Sequence, residues 1–468
     1  MTMSTLADSP AIRRLADWDA TRLESLVGDY GSPLYALDLE RVRENYRRLA
    51  SAFPDAEIMY AVKANALDEV LETLHEEGAG LECASAGEVK RALAAIESSD
   101  RSDGSGADVH YTAVNPPARD LDWVVDAWED HPELTITVGA EDTIDRLEER
   151  GYDGRLCLRV NPGIDAGHHE KVKTGAAAKF GVPIERAVDV LTNAADRGFD
   201  VVGVHAHVGS GVSSDQLDDH RAFVARMGEL ATDVDEALEG DLEFVDVGGG
   251  FGVPYRESEA PLDLEAVAEA TREALGDVDA RLTIEPGRYF VADAGVLLTE
   301  VNTIKEARDT LAVGVDAGMT TLLRPAMYDA YHPIRNLTAD READSSDETR
   351  NSADTGRETV PQTIAGPICE SGDVFCSDRE LPASRRTDVL AIGNAGAYGY
   401  EMANQYNSRP RPASVVIDGD DVRLARRRET VDDVTRPETS ATDPTTADAS
   451  RNRNADADRE AHNDHDIR

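Results

Sequence analysis

The feature that most constrains the fold is an alternation that begins near residue 57. Eight short apolar runs are separated by longer segments of helical spacing: 57–63 (EIMYAVK), 81–84 (LECA), 109–112 (VHYT), 135–140 (TITVGA), 156–161 (LCLRVN), 201–207 (VVGVHAH), 244–248 (FVDVG) and 282–286 (LTIEP). Between them, segments such as Ala66–Glu77, Gly87–Ile96, Leu121–Trp128, Ile184–Arg197 and Leu264–Leu275 carry apolar residues three and four apart. That is the period of a helix with one buried face. Short apolar runs suit strands covered on both sides, and strands alternating with helices run parallel. Eight such units close into a barrel. The pattern predicts an α/β chain with a TIM-like (β/α)8 barrel over residues 40–290.

After Gly287 the pattern changes. Strand-like runs at 295–304, 311–315, 388–392 and 413–418 follow without long helices and with turn residues between them. They predict a second, β-rich domain over 291–430. Leu34-Tyr35-Ala36-Leu37 precedes the barrel, so residues 1–39 are expected to join that domain. Residues 338–360 are acidic and poor in apolar side chains, and read as a disordered insertion. Residues 431–468 have a similar composition and read as a disordered tail. Its two histidines, His462 and His465, make no metal site.

The net charge is −44, from 48 basic and 92 acidic residues. Such a balance argues against nucleic acid and against an anionic membrane surface. No stretch approaches the roughly 18 apolar residues of a membrane span, and the first residues lack a signal-peptide run. A cytoplasmic protein is expected. The four cysteines, Cys83, Cys157, Cys369 and Cys376, form no metal-ligand cluster and no disulfide framework. The acid is accompanied by a scarcity of lysine: six, against 42 arginines. Together these point to a surface adapted to high salt, where screening relieves self-repulsion.

That scarcity singles out Lys63, which ends the first apolar run. A lysine there is costly unless it pairs, loses its proton or is used covalently. A desolvated amine of lowered pKa suits imine chemistry; a lysine whose stem lies on apolar surface is the competing reading. In a barrel of this kind catalytic groups sit at the C-terminal strand ends. Other unusual runs fall there too: His205 to Gly211, including His207 and Ser210; Gly248-Gly249-Gly250-Phe251-Gly252; and Glu285-Pro286-Gly287-Arg288. Glu82 and Cys83 lie within the second strand.

The glycine run lets backbone N–H groups approach an anion, and Ser210 could add a hydroxyl donor. Glycines after strands are also often only tight turns. Glu285 could hold a protonated ring nitrogen, or could be a cap or pair with Arg288. His207 could lie flat against a planar ligand, or be a satisfied core residue. Jointly, an imine-forming amine, a phosphate cradle and a carboxylate for a pyridinium nitrogen are what pyridoxal phosphate needs. In the second domain, Cys369-Glu370 could place an acid beside an anionic recognition group, or Cys369 could be a small buried residue. Arg324 could grip a carboxylate, or be one more surface arginine.

The chain resembles the diaminopimelate decarboxylases, of the alanine-racemase-like group of fold-type III pyridoxal-phosphate decarboxylases. The resemblance runs from about Leu34 to Arg426. It rests on Tyr60-Ala61-Val62-Lys63-Ala64-Asn65, Cys83 to Glu88, His207-Val208-Gly209-Ser210-Gly211, the 248–252 glycines, Glu285-Pro286-Gly287-Arg288, Cys369-Glu370-Ser371-Gly372-Asp373, Gly396-Ala397-Tyr398 and Tyr406 to Pro412. The resemblance implies that Lys63 carries pyridoxal 5'-phosphate covalently. Gly250 and Ser210, with Gly249 adjacent, would hold the phosphate, Glu285 the pyridine nitrogen, and His207 would stack on the ring. Arg288, Arg324 and Tyr328 would bind substrate, and Tyr398 would touch cofactor and substrate. Cys369 would donate a proton after carbon dioxide leaves, and Glu370 would hold the distal ammonium. Both would reach into the partner's site in a homodimer. The implied reaction is decarboxylation of meso-2,6-diaminopimelate to L-lysine and carbon dioxide, the last step of lysine biosynthesis. The rivals are a decarboxylase of arginine, a D-amino acid or carboxynorspermidine, or a non-catalytic homologue that binds a true decarboxylase.

Overall fold

The computed structural model describes residues 11–99, 108–163, 179–207, 209, 216–238, 240, 242–307, 310–346 and 356–438. Eight parallel strands close into a barrel: Glu57–Ala61, Gly80–Cys83, Val109–Ala113, Thr135–Val138, Arg155–Asn161, Asp200–His205, Phe244–Asp246 and Arg281–Ile284. Each pairs with the next, and the last returns to the first through Thr283 beside Glu57 and Ile284 beside Ile58. All eight expected runs are strands. Helices between them are stopped and started by local chemistry. Ser85 accepts the Glu88 N–H to cap Ala86–Ser98, Asp263 caps Leu264–Leu275, and Gly78 ends Asp68–Glu77 in a left-handed conformation.

Successive strand residues face opposite sides, so period two sorts each strand into an outer and an inner set. Leu81, Cys83, Val109, Tyr111, Ile136, Val138, Leu156, Leu158, Val204, Val245, Leu282 and Ile284 join the main apolar cluster under the helices. Their neighbours face the axis. Deep in the barrel these include Cys157 and Phe244, with His110 stacked on the Phe244 ring at 5.0 Å. Gly203 has no side chain because a Cβ would meet that ring at 2.5 Å. Nearer the C-terminal strand ends the inner set becomes ionisable: Glu82, Arg159, His205, Asp246 and Glu285, all buried. Lys63 continues the inner parity of Met59 and Ala61, while Ile58, Tyr60 and Val62 join the outer cluster. It sits in a short turn, Val62–Ala64, just past the strand end. The sequence therefore aims the scarce lysine at the barrel axis.

The second sheet is mixed. Gly295–Ala307 is flanked antiparallel by Leu34–Asp38, Thr310–Val315 and Val389–Ile392, and Leu34–Asp38 pairs in parallel with Ala413–Asp418. The N-terminal segment is thus stitched between two C-terminal strands. Four further strands, Ile334–Asn336, Thr359–Ala365, Val374–Pro382 and Asp421–Arg426, are more polar than the runs the sequence flagged.

The expectation of a disordered insertion over 338–360 is corrected at both ends. Residues Leu337–Ser346 form a helix, and 359–365 form a strand. Asn336 caps the helix by accepting the Ala339 N–H, and Leu337 and Ala339 are buried. Two of its acids are paired, Asp340 with Arg335 at 2.5 Å and Glu342 with Arg357 at 2.9 Å, while its Arg341 reaches Glu24 at 2.8 Å. Composition alone misread charges that are neutralised by neighbours. Residues 347–355 lie outside the described residues. At the other end, Val431–Thr435 is a short helix capped by Thr430, and 439–468 lie outside the described residues. Among the described residues no helix is long and apolar enough to cross a membrane.

Candidate active site

Lys63 Nζ is paired with Glu82 Oε2 at 2.7 Å. The lysine is 42% exposed at the mouth while the glutamate is 2% exposed, so a buried carboxylate holds a cation that faces the opening. Burial opposes the ammonium, but Glu82, Glu285 and Tyr398 outweigh it and raise its pKa. Of the alternatives left open for Lys63, it pairs here rather than loses its proton, because two carboxylates share its barrel layer.

Glu285 lies within that layer, its Oε2 3.3 Å from His205 Nε2. The alternative pairing with Arg288 is not made. Burial would raise the Glu285 carboxyl, but His205, Lys63 and His207 together hold it well below the ordinary range. Its buried neighbour Asp246 moves the other way, raised by burial and by the charge on Glu285. The two directions favour Glu285 as the charged member of the pair. Nδ1 of His205 is buried without a hydrogen-bond partner among the described residues.

His207 accepts the Gly249 N–H at Nδ1, 3.1 Å away. Burial, with Arg159 and Lys63 nearby, pushes its pKa down to about 3, so the ring is neutral and Nε2 carries the hydrogen. The glycines beside it are required. A Cβ on Gly248 would meet His207 Nδ1 at 2.6 Å, one on Gly249 would strike the Glu285 carbonyl, and Gly250 has φ +100°. Ser210 lies outside the described residues.

The second sheet closes one side of this mouth. Tyr398 donates its N–H to Ala64 O at 2.7 Å, and Asn65 Nδ2 donates to Gly396 O at 2.9 Å. Tyr398 has φ +55°, a strained conformation for an aromatic residue, held by these bonds to the lysine turn. Arg288 lies over the Tyr398 ring at 4.9 Å and donates to Tyr255 Oη at 2.7 Å. Arg324, on the short helix Arg324–Tyr328, is buried rather than at the surface, and donates to the same oxygen at 3.0 Å. Tyr328 ends that helix.

Cys369 and Glu370 stand apart. Both are exposed, so the reading of Cys369 as a buried hydrophobe fails. Cys369 Sγ lies 3.4 Å from Asn407 Nδ2, and Tyr406 donates to Glu370 at 2.6 Å. Among the described residues neither makes a hydrogen bond to the barrel mouth. Their loop is nonetheless fixed, because buried Asp373 accepts the N–H groups of Ile368 and Met319 at 2.6 and 2.5 Å. Sequence reasoning singled out Lys63, His207, Gly249, Gly250, Glu285, Arg288, Arg324 and Tyr398, named Glu82 and His205 without giving them a role, and missed Asp246 and Tyr255. The period-two parity of His205 with His207, and of Asp246 with the glycine run, was the signal available for two of them.

A barrel of this kind, with an axial lysine and a buried anionic glutamate at its mouth, defines a class. Residues 39–292 match the model of the pyridoxal-dependent decarboxylase family, pyridoxal binding domain. The chain is 42% identical over 426 residues to a diaminopimelate decarboxylase of Methanothermobacter thermautotrophicus, covering 88% of this chain and 92% of the relative. It is 36% identical to that of Deinococcus radiodurans, covering 88% and 97%. The crystal structure of diaminopimelate decarboxylase from Helicobacter pylori complexed with L-lysine superposes with a TM-score of 0.77 at 31% identity, covering 89% and 99%. The chain is a fold-type III pyridoxal-dependent decarboxylase. Within that class it belongs to the diaminopimelate decarboxylases, carboxy-lyases whose cofactor is pyridoxal phosphate.

Proposed function

We propose the following division of labour for the reaction of this family, the decarboxylation of meso-2,6-diaminopimelate to L-lysine and carbon dioxide in lysine biosynthesis. The residues present suit the cofactor. Lys63 offers an amine on the barrel axis, Glu285 keeps its negative charge for a pyridinium nitrogen, and the glycine run leaves room where any Cβ would collide. When bound, pyridoxal phosphate supplies an electron sink for the bond broken at the substrate α-carbon. Lys63 would hold it covalently, which requires the ammonium to give up its proton; Glu82, 2.7 Å away, is the nearest base. His207 would pack against the ring, and Gly249, Gly250 and Ser210 would receive the phosphate. Asp246, whose carboxyl is raised by burial and by Glu285, favours Glu285 as the charged member of the pair.

The substrate has two amino-acid ends. One end reacts at the cofactor and loses its carboxylate. Arg288, Arg324 and Tyr328 would hold the carboxylate of the other, Glu370 its ammonium, and Tyr398 would line both. Cys369 would give the proton that replaces carbon dioxide. Because Cys369 and Glu370 are exposed and unconnected to the mouth, we infer a homodimer in which each chain lends this pair to its partner's barrel. We further propose a cytoplasmic location, and a surface adapted to high salt on the strength of the charge of −44 and the six lysines. The carrying observation is the convergence of Lys63, Glu82, Glu285 and His207 on one layer of the barrel mouth. The test is to incubate the purified protein with pyridoxal phosphate and meso-diaminopimelate and assay lysine. Arginine, ornithine and carboxynorspermidine as sole substrates should give no product; turnover of one of these instead would overturn the substrate assignment.

A further inference from the structure

Tyr255 is the residue on which the two site arginines converge. Arg288 Nη1 and Arg324 Nη1 donate to its phenolic oxygen at 2.7 and 3.0 Å. The two nitrogens are therefore no more than 5.7 Å apart, from 2.7 + 3.0. Among the described residues neither arginine has a carboxylate partner, in a chain with 92 acidic residues. A buried guanidinium without a counter-anion is expensive, and two side by side repel as well. The phenolic oxygen is the compensating group in the protein, and both its lone pairs are taken by the arginines. Its own O–H hydrogen has no acceptor among the described residues, and so remains available to a ligand.

The tyrosine is itself immobilised. The loop carrying it is tied to the second domain by Asn394 Nδ2, which donates to Pro254 O at 3.0 Å. The Tyr255 and Arg256 N–H groups both donate to Glu259. His332 packs edge-on against the ring at 5.4 Å, accepts from Arg324 at Nε2, 2.8 Å, and donates from Nδ1 to Gly393 O at 2.9 Å. Burial, with Arg324 next to it, pushes the His332 pKa down to about 3, so it stays an acceptor for the arginine. The result is two fixed guanidiniums, held one hydrogen bond each from a shared oxygen, with a spare O–H donor between them. That arrangement matches a planar carboxylate, which takes paired N–H donors.

We propose that Tyr255 is a specificity-determining residue of this enzyme, which holds Arg288 and Arg324 together as one receptor and donates its O–H to the carboxylate of the substrate end that does not react. This rests on the reading above that the two arginines bind that carboxylate. The experiment compares two ligands of the holoenzyme by calorimetric titration: L-lysine, which keeps this carboxylate, and 1,5-diaminopentane, which lacks it on the same carbon chain. Tyr255→Phe keeps the ring and the fold. It should weaken L-lysine about ten- to hundredfold, the worth of a hydrogen bond to a charged group, and leave 1,5-diaminopentane within about twofold. KM for meso-diaminopimelate should rise in parallel. Unchanged L-lysine affinity in Tyr255→Phe, with a large loss in Arg324→Met, would overturn the role of Tyr255 alone. Unchanged L-lysine affinity in Arg324→Met would overturn the arginine reading beneath it. Equal weakening of both ligands would show that Tyr255 only supports packing.

Discussion

The barrel mouth and the Cys369–Glu370 loop are built on opposite principles. At the mouth the amine and the acid are answered from within the chain, Lys63 by Glu82 and Glu285 by His205, and the neutral His207 ring accepts the Gly249 N–H. Burial makes these contacts consequential, since a charge out of water must be paired or neutralised. On the loop the side chains are exposed, and their bonds go to Asn407 and Tyr406 of the same surface. Yet buried Asp373 ties the loop backbone down by accepting the Ile368 and Met319 N–H groups. On the proposed reading the first region is a half-site and the second its complement, lent to another copy of the chain.

The sharpest ways to break this contrast remove one member from each side. Lys63→Ala should reduce decarboxylation to background, and borohydride reduction of the wild-type holoenzyme followed by peptide mapping should mark the peptide holding Lys63. A mark on Lys90 or Lys305 would remove Lys63 from its role. Cys369→Ala should lower kcat by about 10²–10⁴-fold, the usual worth of a positioned proton donor, while KM for meso-diaminopimelate stays within a few-fold. If the loop were only structural, KM and thermal stability would change instead.

Acid should separate the two regions next. His110, His207, His220 and His332 have pKa values pushed down to about 4, 3, 4 and 3, in each case chiefly by burial. Unfolding releases them to about 6.5. Between these limits the unfolded chain binds more protons, so their stabilisation is present above about pH 6.5 and is lost as pH falls towards 3. The thermal midpoint should fall steadily over that window. Replacing His332 by Gln, which can still accept from Arg324, should flatten part of the slope; an unchanged slope would show that His332 contributes nothing to it. The exposed loop has no such group.

Salt should have the smallest effect per added increment and act on the outer surface. The screening length falls from about 10 Å at 0.1 M to about 3 Å at 1 M. With a charge of −44 the thermal midpoint should rise with potassium chloride through the molar range. A flat or falling midpoint would mean that the acidic surface is no salt adaptation.

The same contrast explains what the sequence made legible. All eight barrel strands could be read because parallel strands buried on both faces are short, apolar and bounded by helical spacing. Strands such as Asp421–Arg426 escaped because they lie at a sheet edge and are largely exposed, so polar residues are tolerated there. Thr359–Ala365 escaped because Pro361 and the acidic stretch before it disguised a strand held by neighbours on both sides. In the site, residues with a chemical signature of their own, such as Lys63, Glu285 and the glycines, could be picked out. Glu82, Asp246 and Tyr255 act through partners 19, 39 and 33 residues away along the chain, at Lys63, Glu285 and Arg288, and only folding brings those pairs together.

The central claim, that the finished half-site and the loop belong to two copies of one chain, is tested most directly by complementation. Lys63→Ala and Cys369→Ala should each be close to inactive alone. Dissociated, mixed in equal amounts and reassociated, half the dimers are mixed, and each mixed dimer holds one site with both residues intact. The account predicts recovery of about a quarter of wild-type activity, given two-fold symmetry and random pairing. Mixed dimers that form, verified by differential tagging, and yet stay as inactive as their parents would contradict it.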